Sequence, residues 1–161
     1  MVPLQPHSME ALKEFMERFH KRIFEIDRFA TTVLKAHFLV EEELDSVLDS
    51  IASKPKKMAS ERNPTFDQKL KWIRKFHPLL RDSEYWRLIA AFNTLRNKVA
   101  HKFDGPERKR AIENLRKEYR EVVNPDPKNK EFSPEILVLA IGAFSVTFLG
   151  RFRELIVNME E

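Results

Sequence analysis

The chain has no cysteine in its 161 residues, which excludes disulfides, zinc–thiolate centres and a cysteine nucleophile. Its glycines are only Gly105, Gly142 and Gly150, too few and too scattered to form a glycine-rich phosphate loop, so nucleotide hydrolysis by a P-loop is excluded. His7, His20, His37 and His77 lack metal-ligand spacing among themselves or with nearby carboxylates, and no metal or other cofactor is expected. The start, Met1-Val2-Pro3-Leu4-Gln5-Pro6-His7, has no basic stretch followed by an apolar run. A cytoplasmic protein is therefore expected. The longest apolar run, Ile136 to Gly150, stops at Arg151-Phe152-Arg153, short of the ~20 residues a bilayer core needs, and no membrane association is expected.

Neither sign of charge dominates: 29 Lys and Arg against 25 Asp and Glu leave a net charge of +4. This permits a nucleic-acid partner without requiring one. The composition, 42% hydrophobic and 34% charged, suits a folded all-α chain. The apolar residues recur at helical spacing. One helical domain over 1–161 is expected, with its core in about 9–123 and a C-terminal apolar helix over about 134–158 packed on that core or in a dimer interface.

From Leu12 to Ile51 the pattern fits one very long helix or two in succession. Thr31-Thr32 and the phase change at His37-Phe38-Leu39 are the places where a break is expected. Thr65-Phe66-Asp67-Gln68 reads as a capping box that opens a short helix. Asp82 or Ser83 caps the next, whose apolar face holds Leu88, Phe92, Leu95 and Val99. A basic amphipathic helix runs from Glu107 to about Val123. Ser133-Pro134 is a strong helix start.

Near the end of the helix that follows Ser83 stands Arg96-Asn97-Lys98-Val99-Ala100-His101. At ~100° per residue, Asn97 and His101 stack on one face, whereas Arg96 and His101 diverge by about 140°. The pair converges only if Arg96 swings round, if the helix unwinds near His101, or if a second subunit brings its own copy. Ala90, Asn93, Asn97 and His101 form an uncharged stripe suited to closing against another surface. In a purely structural alternative, Arg96 pairs with an acid such as Glu42, Glu43 or Asp45 while His101 caps the helix end.

Leu95 to Phe103, late in a helical domain and behind a long helical hairpin, resembles the HEPN superfamily, whose signature is Arg, a polar residue, then His after four to six intervening positions. The stretches Phe38 to Leu44 and Thr65 to Leu70 are similar to the branch with mannitol-operon-repressor-like proteins. The resemblance implies a four-helix bundle with added helices, a homodimer with both motifs on a shared cleft, and metal-independent endoribonuclease activity of the toxin–antitoxin or antiphage kind. It implies His101 as general acid or base, Arg96 on the scissile phosphate and Asn97 positioning either. Lys98, Lys102, Arg108, Lys109 and Arg110 are the candidate RNA contacts. An antitoxin or regulatory protein partner is also implied. Phe103 stands where one toxin subfamily carries a modified tyrosine, which removes that route of neutralisation. The alternative is a non-catalytic regulator or protein-interaction module on the same fold.

Overall fold

A computed structural model describes residues 6–24, 27–51, 63–76, 83–101, 105–123 and 132–160. These residues form six α-helices and no strand: α1 (Pro6–Phe24), α2 (Arg28–Ser50), α3 (Phe66–Phe76), α4 (Tyr85–His101), α5 (Pro106–Val122) and α6 (Pro134–Glu160). The chain is all-α, as its composition and spacing predict.

The long N-terminal pattern divides into two helices, and the division falls before Arg28 rather than at Thr31-Thr32 or His37. Asp27 makes the new start, because its extended backbone and its carboxylate, which accepts from the Ala30 amide at 2.9 Å, cap α2. Thr31 and Thr32 fit inside the first turn by donating their hydroxyls to the carbonyls of Asp27 and Arg28. The phase change at residues 37–39 has another cause. His37 lies on the one buried stripe of α2 with Val33, Ala36, Val40 and Leu44, while Phe38 and Leu39 stay exposed.

The capping boxes follow the sequence. Thr65 N–H donates to Gln68 Oε1 at 2.7 Å, and the Gln68 amide donates to Thr65 Oγ1 at 3.3 Å. Ser133 Oγ accepts from the Ile136 amide. Ser83 caps α4 through the Tyr85 amide.

The core joins Val33, Val40 and Leu44 of α2 to Ile89, Phe92 and Leu95 of α4, all fully buried. From α6, Ile141 and Leu149 complete it. Trp86 meets Phe148 and Phe152 edge-on at ring separations of 4.9 and 5.6 Å. That burial takes Trp86 out of reach of a nucleic-acid base. The core therefore extends beyond residue 123 into α6, whereas Met9, Leu12, Phe15 and Met16 of α1 are exposed.

α6 matches the helix expected over about 134–158, and its Pro134–Asn158 stretch is long and apolar enough to cross a membrane, by length and composition only. Its inner side packs along α2 in the same direction, with Gly142 beside Ala36 and Gly150 beside Glu43. Arg153 clasps Glu43 at 3.2 Å near the far end. α4 and α5 run antiparallel, tied by Arg87 to Glu118 and by Lys98 to Glu107.

The closest approach of α2 and α6 depends on a missing side chain, since a Cβ on Gly142 would lie 3.1 Å from the Ala36 Cβ. Gly142→Val is expected to cost ~1–3 kcal/mol by overpacking. Urea unfolding would register it as a lower midpoint, and an unchanged midpoint would mean that the two helices are not in this contact.

Candidate functional site

The most polar groove described lies where α2, α3 and α4 meet, with a volume of about 360 Å³. Thr65, the residue that caps α3, forms part of its wall, and the motif residues Arg96 and Asn97 form another.

His37 is nearly wholly buried, at 3% exposure, between Phe66 and Phe92 at ring separations of 4.5 and 5.8 Å. A buried imidazole needs partners for its nitrogens, and α4 supplies one. His37 Nε2 lies 3.0 Å from Asn93 Oδ1, and Asn93 Nδ2 donates to Asp67 Oδ1 at 3.0 Å. Asn93 itself is 6% exposed. Of the uncharged stripe on α4, Asn93 closes against α2 and α3 of the same chain, while Ala90 and Asn97 stay partly exposed on groove walls.

Glu41 stands one helical turn past His37, its Oε2 3.9 Å from His37 Nδ1. Lys69 of α3 fixes this carboxylate at 3.1 Å and takes Asp45 at 2.8 Å. Burial works against the Lys69 ammonium, but its bonds to Asp45 and Glu41 outweigh that and raise its pKa above 10.5. For His37 the balance goes the other way. Burial holds its pKa below the ordinary 6.5, helped by the Arg96 and Lys69 charges, although Asn93 and Glu41 pull upward. The ring is neutral at pH 7.

Arg96 is half-buried and donates from Nη1 to Asn97 Oδ1 at 3.2 Å. Among the described residues no carboxylate lies within ion-pairing distance of it. The acids that the structural alternative assigned to it are engaged elsewhere, Glu43 by Arg153 and Asp45 by Lys69, and Glu42 is exposed. Among the described residues the guanidinium therefore borders the groove without a direct ion pair, with Glu41 and Asp67 on other parts of the same wall, an uncommon state for a partly buried arginine.

The helix is regular through His101, so unwinding ahead of it does not bring the motif pair together. Arg96 and His101 diverge around α4, and the His101 side chain lies outside the described residues. Lys102 is outside them as well. The other candidate RNA contacts separate into two kinds. Lys98 is paired with Glu107 at 3.1 Å. Arg108 bonds Asp27 through both terminal nitrogens and lies 4.6 Å over the Phe29 ring, which commits it to joining α5 to the start of α2. Burial raises the pKa of Asp27, but the hydrogen bond from Arg108 and the Ala30 and Phe29 amides lower it further, for a net fall. Lys109 and Arg110 remain exposed. The lysines at 54, 56 and 57 lie outside the described residues.

Sequence reasoning did not single out His37, Glu41 or Asp67 for this site. The available signal was that His37 occupies an inward position of α2 between Val33 and Val40 while Asn93 occupies one of α4: two polar groups on apolar faces point to a partner. No group of three or more His, Asp or Glu among the described residues is placed to hold a metal ion.

Two consequences follow for stability. Asn93→Leu strands the His37 Nε2–H and removes the Asp67 bond, at an expected cost of ~1–3 kcal/mol in urea unfolding. Because the folded pKa of His37 lies below 6.5, the unfolded chain binds the proton more readily. Stability is full above about pH 6.5 and is lost as pH falls toward the folded value. Asp27 acts only near and below 3.8 and Lys69 only above about 10.5, so comparing the thermal unfolding of wild type with that of His37→Gln between pH 8 and 5 reads the His37 contribution. His37→Gln is expected to flatten that slope, and an unchanged slope would contradict the assignment.

No model of a known protein family matches the chain, and no curated protein or solved structure matches it.

Proposed function

We propose that the chain is a HEPN-like, metal-independent endoribonuclease of the toxin or antiphage-defence type, cleaving RNA by attack of a ribose 2′-hydroxyl on the adjacent phosphate. The observation that carries this reading is the Arg96 guanidinium, without a direct ion pair among the described residues and held by Asn97 at the edge of a polar groove. A forked, permanently charged donor matches phosphate oxygens and stabilises the charge that builds on them in the transition state. Asn97 orients it. His101, five residues on, is the general acid or base, and the divergence of the pair around α4 calls for a homodimer in which each copy completes the other's site.

Exposed apolar side chains support that dimer. Leu39 of α2 and Leu139 of α6 flank a groove of about 400 Å³ that also holds Ala36, Gly142 and Val146. The same apolar surface favours the second reading, a non-catalytic HEPN-like regulator that binds protein through it.

Purified protein in excess chelator is expected to cut single-stranded RNA and leave 2′,3′-cyclic phosphate ends. Arg96→Ala should lower kcat by ~10²–10³, the usual effect of losing one transition-state donor. Sedimentation should show a dimer that Leu139→Glu dissociates. If wild-type protein leaves RNA intact while still dimeric, the nuclease reading fails and the regulator reading replaces it.

A further inference from the structure

The groove that holds Arg96 contains a histidine of its own. Resting on the ribonuclease reading, we propose that His37 is its proton acceptor: Nδ1 takes the 2′-hydroxyl proton of the nucleotide whose 3′-phosphate sits on Arg96.

The hydrogen-bond chain fixes which nitrogen is available. The Asp67 carboxylate can only accept, so the Asn93 amide must turn its nitrogen toward Asp67, as the 3.0 Å contact has it. Asn93 Oδ1 then faces His37, and Nε2, 3.0 Å away, must carry the hydrogen. In the neutral ring this leaves Nδ1 bare, a base without its proton.

The surroundings of Nδ1 suit a proton's arrival. Glu41 Oε2, 3.9 Å away, faces the nitrogen that becomes positive, and Lys69 holds that carboxylate in place. Three charged side chains act on His37, Glu41 from α2, Lys69 from α3 and Arg96 from α4, while Asp67 of α3 faces the same groove and reaches the ring through Asn93. The groove thus offers an anion site at Arg96 and hydrogen-bond acceptors at His37, Glu41 and Asp67. A ribose 3′-phosphate presents this pattern in reverse, an anion next to a hydroxyl donor. A 2′-deoxyribose phosphate lacks the donor.

His37 supplies the base within the chain, while the acid, His101, still has to come from the second copy. His101 lies about 140° round α4 from Arg96, whereas His37 borders the same groove as Arg96. In the reaction, the 2′-oxygen loses its proton to Nδ1 and forms a bond to phosphorus. The bond from phosphorus to the 5′-oxygen breaks, and that oxygen takes a proton from the His101 brought by the second copy. The products are a 2′,3′-cyclic phosphate and a 5′-hydroxyl; His37 returns its proton to water and His101 regains one from it.

His37→Gln tests this in the full chain, because a glutamine amide nitrogen can replace Nε2 as donor to Asn93 while supplying no base. The expected result is a folded protein with kcat at least 100-fold lower, KM within threefold of wild type, and no loss of rate on the acid side of the pH profile below about 6.5. Cleavage within fivefold of wild type by folded His37→Gln overturns the proposal while leaving the nuclease reading intact. Calorimetric titration with uridine 3′-monophosphate and its 2′-deoxy counterpart tests the ribose contact without turnover. Wild type should prefer the ribonucleotide at least tenfold and His37→Gln should not. Equal affinity for the two, or no binding of either, overturns the proposal even if RNA is cleaved. A ribose preference in a protein that does not cleave RNA removes the nuclease reading and the proton-acceptor role with it, leaving only a ribose-binding groove.

Discussion

Asn93 holds three helices with one amide. It accepts from His37 of α2 and donates to Asp67 of α3 while its own backbone belongs to α4. In a buried setting each of these bonds matters less for its own strength than for the cost of leaving its partner unmatched. That cost selects one arrangement of α2, α3 and α4 over others with equally good apolar contacts. The Phe66 and Phe92 rings enclose the imidazole, and Lys69 repeats the link from α3 to α2 through Glu41 and Asp45.

The same arrangement places charge where it can act. The carboxylates nearest the groove are engaged, Glu41 by Lys69 and Asp67 by Asn93, so none is drawn to Arg96. Among the described residues Arg96 is thereby left with Asn97 as its side-chain partner and no direct ion pair. The groove is mixed in sign rather than basic, which disfavours indiscriminate binding to phosphate backbones and favours a ligand that brings an anion and a hydrogen-bond donor together.

Much of the fold was legible in the sequence. The Thr65–Gln68 and Ser133-Pro134 starts, and the buried face of Leu88, Phe92, Leu95 and Val99, follow from local spacing and capping chemistry. The break before α2 was not, because Asp27 as a cap is reinforced by Arg108, a residue 81 positions away. The site was half legible. Arg96 and Asn97 are marked by a contiguous motif, and the stripe through Asn93 announced a closing surface. His37 and Asp67 reach that surface from two other helices, and such convergence is a tertiary event without a local signature.

The tautomer of His37 is the most direct probe of this account. Nitrogen-15 spectra of the labelled imidazole at pH 7, assigned by loss of the signal in His37→Gln, should show a neutral ring protonated at Nε2 with a bare Nδ1. A ring protonated at Nδ1, or at both nitrogens, would contradict the hydrogen-bond chain and the base derived from it.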